Sequence, residues 1–178
     1  MLLTKLPAID RSDHVQVVIE SPRGSSLKLK YDPERGVFTL SRPLPIGLVF
    51  PHDWGFVPST RGPDGDPVDA MVIWDEASFP GLVLSCRLIA ILQVEQNSRR
   101  RAGTRDRNDR LIAVPVEARR YDRVRDVGDL SSRLRKELET FFLASTALEG
   151  KDLKVLGWSD ASAAMALIKP RSRRSIRE

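Results

Sequence analysis

Residues 64–74 read Asp64-Gly65-Asp66-Pro67-Val68-Asp69-Ala70-Met71-Val72-Ile73-Trp74. Three carboxylates fall within six residues, on a turn that runs straight into an apolar strand. Like charges at that spacing repel unless cations or water screen them. Pro67 fixes its own φ and Gly65 relaxes the turn, so the side chains can converge on one side. An all-oxygen ligand set suits a hard divalent cation, magnesium above all, shared with a substrate's phosphates. A solvated, ion-free Asp-Gly turn accounts for the same hexapeptide, because turns favour these residues.

Working outward, Val68 to Trp74 reads as a strand, as do Val15 to Glu20 and Ser26 to Asp32 upstream. Pro33-Glu34-Arg35-Gly36 is a turn that leads into Val37 to Leu40, which predicts a hairpin. Pro43 to Gly65, rich in proline and glycine, reads as a loop. Downstream, Gly81 to Glu95 and Leu111 to Val116 are strands, the longer one bent or split in two. The polar stretch Asn97 to Asp109 between them reads as a protruding loop. Helical periodicity comes late. Ser131 to Ala144 places Leu134, Leu138, Phe141 and Phe142 on one face, with Asp129 as its cap. A last strand, Leu153 to Trp158, precedes a helix from Ala161 to Lys169, capped by Ser159 or Asp160. Strands first and helices last predict an α+β, mainly β fold: an antiparallel barrel or curled sheet with helices packed outside.

A chain of 178 residues, 41% apolar and 30% charged, is expected to form one domain over residues 1–170, followed by a basic tail at 171–178. The longest apolar stretch, Leu82 to Val94, is broken by Ser85, Arg87 and Gln93 and is too short to cross a bilayer. Met1 to Pro7 lacks the apolar core of a secretion signal. Cys86 is the only cysteine, which excludes an internal disulfide and fits a cytoplasmic address. It reads as a small buried hydrophobe. The net charge of +5 is concentrated in Arg99, Arg100, Arg101, Arg105, Arg107 and Arg110, and in the arginines of the tail. Such runs suit polyphosphate or solvent, and without interleaved aromatics no nucleic-acid partner is expected. His14 and His52 lack partners at zinc-site spacing. No nucleophile elbow or phosphate-loop spacing is present.

With these pieces in place, the chain resembles the soluble family I inorganic pyrophosphatases over nearly its whole length. The resemblance is carried by Val17-Val18-Ile19-Glu20-Ser21-Pro22, Arg42, Phe50-Pro51, Trp54-Gly55-Phe56, the signature from Asp64 to Ala70, and Pro80-Gly81. Ala113-Val114-Pro115, Phe141-Phe142, Leu148-Glu149-Gly150-Lys151 and Val155-Leu156-Gly157-Trp158 complete it. It implies a strongly twisted, closed antiparallel β-barrel, OB-like, flanked by two C-terminal helices. It further implies Mg2+-dependent hydrolysis of pyrophosphate to two phosphates by a metal-activated water, and a homo-oligomer. By the same resemblance Asp64 and Asp69 hold activating metals, Glu20 helps hold another through water, and Asp66 orients or deprotonates the attacking water. Lys28 and Arg42 grip the phosphates.

The chain also departs from the pattern. Lys30 stands at or beside an acidic metal partner's place, and Phe50 and Trp54 replace tyrosines. Gln96 and Asn108 align with metal-binding aspartates, and Arg110 with a phosphate-gripping lysine. Ser145 and Thr146 replace a Tyr-Lys pair. Losing one preorganised donor lowers a rate by about 10²- to 10³-fold. Asn108 would hold a metal more weakly than aspartate. Glu95, Asp106 and Asp109 are candidate replacement carboxylates, Asp109 foremost as a metal ligand beside Asn108, and the inserted arginines are candidate phosphate contacts. The alternative to catalysis is an impaired pyrophosphatase-like protein that binds phosphate-rich ligands or a partner subunit.

Overall fold

The computed structural model describes residues 2–63, 65–76, 78–98 and 101–168. Nine strands and two helices follow in the order β1 (Val15–Ser21), β2 (Leu27–Asp32), β3 (Val37–Pro43), β4 (Asp53–Val57), β5 (Val68–Val72), β6 (Val83–Asn97), β7 (Arg105–Arg107), β8 (Arg110–Pro115), α1 (Ser132–Thr146), β9 (Lys154–Ser159) and α2 (Ala161–Ile168) among the described residues. The strands pair in the order β1-β4-β5-β8-β6, and β6 pairs back to β1, which closes a ring. Four seams are antiparallel, and the β5–β8 seam is parallel. β2 and β3 form the predicted hairpin, and β7 and β9 extend β6. None of the described helices is long and apolar enough to cross a membrane.

Alternation along the ring strands sends side chains into two cores. Val68, Ala70 and Val72 of β5, with Leu111 and Ala113 of β8, pack against Ala164 and Ile168 of α2. Met71 and Ile73, with Ile112 and Val114, pack on the opposite face with Leu138, Phe141 and Phe142 of α1. Asp69 and Arg110 belong to this second alternation, at the strand ends where the apolar core stops. β6 crosses both cores as one continuous strand, and its register shifts at Leu88/Ala90 and Gln93/Val94 accommodate the bend.

Two segments read as loops are strands. β4 lies inside the stretch from Pro43 to Gly65 and is buried along its whole length, so it lacks the polar alternation that marks a half-exposed strand. β7 forms where the protruding loop folds back, pairing Glu95 with Arg107 and Gln96 with Asp106. The α1 cap is Ser131, whose Oγ accepts from the Leu134 amide; Asp129 instead caps the preceding turn with Asp126. Asp160 caps α2 through the Ala163 amide. Residues 169–178, including the end of the second predicted helix and the basic tail, lie outside the described residues.

Gly55 sits where β4 meets β1, paired with Ile19. A Cβ there would lie 1.9 Å from the Val18 carbonyl oxygen, a backbone atom that cannot swing aside. Gly55→Ala is therefore expected to lower unfolding stability by about 3 kcal/mol, the upper end for overpacking. Urea denaturation measures this; a midpoint equal to that of the unsubstituted protein would contradict the tight seam.

Candidate active site

The upper ends of the ring strands, the hairpin and the acidic turn enclose a cavity of about 380 Å3. Its lining includes Glu20, Lys28, Lys30, Asp66, Asp69, Gln96, Asp106, Asn108, Arg110 and Lys151. Acids and bases are interleaved there, and they come from five separate strands and two loops.

Each side chain is aimed by its strand. Ala70 pairs with Leu111 across the parallel seam, so Asp69 and Arg110, one step back on each strand, become neighbours on the cavity face. The Arg110 guanidinium donates through Nη1 to Asp69 Oδ2, and the same nitrogen donates to Asn108 Oδ1 at 2.7 Å. Arg110 is only 5% exposed, and its guanidinium lies 5.3 Å from the Trp54 ring centre. The Lys28 ammonium lies 5.7 Å from the same ring. An aromatic face attracts both cations. The Lys30 Nζ donates to Asp66 Oδ2 at 2.9 Å, joining the hairpin to the acidic turn.

Glu20 sits at an irregularity of β1, between Ile19 and Ser21, where the extra residue turns the side chain into the site. Its Oε1 accepts the Tyr31 amide at 2.8 Å. Burial pushes its carboxyl up to about 7; that amide opposes the shift, Asp69 adds to it, and Lys28 and Lys30 oppose it. Burial likewise lowers Lys28, with Asp69 opposing. Burial acts to lower Lys30 too, but its hydrogen bond and charge contact with Asp66 outweigh this and leave it raised.

The other sequence candidates are placed as follows. Asp64 lies outside the described residues. Glu20, Lys28, Asp66, Asp69, Asn108 and Arg110 line the cavity. Arg42 turns away: it donates to the Ser145 carbonyl at 2.7 Å and pairs with Glu149 at 3.2 Å. Asp109 is not in the lining either. Alternation along β8 puts it opposite Arg110, where Oδ1 accepts the Val94 amide and two Arg107 donors. Glu95 is spent on Arg105 at 2.6 Å. Asp106, the remaining candidate, does line the cavity. Arg105 bridges Glu95 and Asp152, so neither it nor Arg107 serves as a phosphate contact here. Phe50 and Trp54 do more than remove hydroxyls: both are buried against Phe141 and Phe142 of α1. Lys151, which belongs to the resemblance without a site role drawn from it, also lines the cavity. A lone lysine after Gly150 carries no periodic signal, and only the folded β9 approach brings it to the rim.

The donor set can be tested against a divalent cation. Among the described residues no three His, Cys, Asp or Glu side chains converge at metal-binding distance. Between Asp69 and Asn108, where the resemblance implies a metal, stands the Arg110 guanidinium. A resident metal held by that pair does not fit. A magnesium that arrives on a diphosphate needs only one or two protein carboxylates. Asp66 and Asp106 line the same space, and the buried Oε1 of Gln96 has no hydrogen-bond partner among the described residues.

The raised Glu20 carboxyl has a measurable consequence. In the unfolded chain it releases its proton near 4.5, but in the folded protein only near 7. Between those values the folded state holds the extra proton, so rising pH costs stability, and above 7 the full penalty remains. Glu20→Gln, which keeps an acceptor for the Tyr31 amide, is expected to be more stable than the unsubstituted protein at about pH 8, by roughly 2–3 kcal/mol. The difference closes below about pH 4.5. Urea denaturation at both pH values checks this; equal stabilities at the higher one would show that Glu20 is ionised without penalty.

Comparison with known proteins agrees with this architecture. Residues 17–175 match the sequence profile of the family described as inorganic pyrophosphatase. The inorganic pyrophosphatase of Synechocystis is 35% identical, covering 95% of this chain and 96% of the relative. That of Thermus thermophilus is 37% identical, with 94% of both covered. The crystal structure of inorganic pyrophosphatase from Thermus thermophilus superposes with a TM-score of 0.86 at 36% identity, covering 94% of this chain and 95% of that one. The pyrophosphatase structure from Coxiella burnetii gives 0.82 at 33% identity, covering 92% and 95%. With that breadth of match in both sequence and fold, the chain belongs to the inorganic pyrophosphatase family.

Proposed function

We propose that this protein hydrolyses inorganic pyrophosphate to two phosphates, with magnesium serving the chemical step. The observation that carries this reading is the cavity in which Asp66, Asp69 and Asp106 face Lys28, Lys30, Arg110 and Lys151. A surface of one sign would not do: bases alone would hold product too tightly, and acids alone would repel the substrate. Family membership supports the reaction class.

Magnesium on the substrate neutralises phosphate charge and eases attack by water. The chain's own groups do the rest. Lys28, Arg110 and Lys151 receive the phosphate oxygens as donors, with the rigid guanidinium fixing orientation. Asp66 is the carboxylate that orients the attacking water, and its contact with Lys30 fixes where its oxygens point. The water oxygen bonds to one phosphorus as the bridging P–O bond on that phosphorus breaks. One water proton passes by way of Asp66 to the departing phosphate, and the other stays on the new one, so that P2O7(4−) and water give two HPO4(2−). Arg42 plays a supporting part, tying the hairpin to the end of α1 through Ser145 and Glu149. Asp64 is proposed as a further carboxylate for the incoming magnesium on the strength of the resemblance alone.

The proposal extends to a cytoplasmic, homo-oligomeric protein with one domain over residues 1–170. It is supported by family membership and by a single, buried free cysteine. The second reading, a phosphate-binding relative without turnover, is favoured by one observation: Asp66 and Asp69 both already hold a cation of the chain itself. Phosphate release from pyrophosphate in millimolar magnesium decides between them. Turnover is expected, falling by about 10²-fold or more in Asp66→Ala. Release no faster than that variant's would leave binding as the function.

A further inference from the structure

We propose that Arg110 and Lys30 are built-in cations that take the place of metal ions between the site's carboxylates, so that the cavity captures a diphosphate without a divalent cation. This rests on the cavity being the diphosphate site, and it goes beyond the hydrolysis proposed above by removing its metal requirement from the binding step.

The geometry carries the argument. A metal ion in a carboxylate site bridges oxygens from different strands and leaves its remaining coordination for the ligand. Arg110 does the same with hydrogen bonds: one nitrogen spans Asp69 Oδ2 on β5 and Asn108 Oδ1 ahead of β8. Asn108 fits a guanidinium, since its amide oxygen accepts without adding charge, so Asp69 and Arg110 close the balance as a pair. The guanidinium keeps an unspent donor. Its Nε–H is buried and has no hydrogen-bond partner among the described residues, although a guanidinium offers five donors. Trp54 backs it with an aromatic face that attracts cations but accepts no conventional hydrogen bond. Lys30 makes a simpler contact of the same kind, its ammonium joining the hairpin to the acidic turn through Asp66. Glu20 lines the same cavity, close enough for Asp69 and Lys30 to act on its carboxyl. Arg110 is held more firmly than an exchangeable ion, because freeing it would leave Asp69 part-buried and unpaired.

Such cations cannot be removed by a chelator, which gives a direct test. Isothermal titration with methylenediphosphonate, a non-hydrolysable diphosphate, is run in EDTA and again in millimolar magnesium. Saturable binding in EDTA is expected. Lys30→Met and Arg110→Met should each weaken it by about 10- to 100-fold, the worth of one charge-assisted contact. Magnesium alone should give no saturable heat with the unsubstituted protein. It should do so with the triple variant Lys30→Glu, Asn108→Asp, Arg110→Lys, which places acids at positions 30 and 108 and exchanges the bridging guanidinium for a single ammonium. Circular dichroism melts establish folding; Lys30, with a half-exposed side chain, keeps the test intact if buried Arg110→Met does not fold. Binding that appears only with magnesium, or binding in EDTA indifferent to both single substitutions, overturns the inference and leaves the diphosphate site standing. No binding under either condition overturns the site itself.

Discussion

The contact on which the site depends is the ion pair between part-buried Asp69 and buried Arg110 across the one parallel seam of the ring. It exists because β5 and β8 run the same way, so both strands deliver their first cavity-facing residue to the same end. An antiparallel seam would have paired the start of one strand with the finish of the other. Removing one partner of a buried pair leaves a charge without compensation, commonly at about 3–5 kcal/mol. The pair therefore fixes the electrostatics of the cavity before any ligand enters. Asn108, Trp54 and Lys28 are arranged around that fixed charge.

From that constraint the rest of the site reads as a checkerboard. Lys30 against Asp66 repeats the pairing at the mouth, where exposure makes the contact weaker and easier to exchange. Glu20 has no salt bridge of its own among the described residues. Its burial accordingly shows as a raised carboxyl and a cost to folding. An acid-rich site must recruit cations to function, whereas this one carries its own and presents a diphosphate with oriented donors.

The sequence made the frame and the acidic turn legible, and the pairings illegible. Strands with partial alternation, such as β2 and β3, and helices with an apolar stripe, such as α1, announce themselves locally. β4 does not, because Asp53-Trp54-Gly55-Phe56-Val57 is buried on both faces and punctuated by a glycine whose purpose is a close approach to Val18. Asp66, Asp69, Glu20 and Lys28 could be named from motif and resemblance. The partners of Asp66 and Asp69 lie 36 and 41 residues away, and only the register of the sheet brings them together. The same register separates Asp106, which faces the cavity, from Asp109, which bonds the Val94 amide, although both flank Asn108 and the resemblance makes either a candidate carboxylate.

The account stands most directly on what occupies the space between Asp69 and Asn108. Anomalous diffraction from crystals grown with manganese and no diphosphate would locate any bound ion there. The account predicts guanidinium density joining the two side chains and no anomalous peak between them. A manganese peak within coordination distance of both oxygens, with Arg110 displaced, would contradict it.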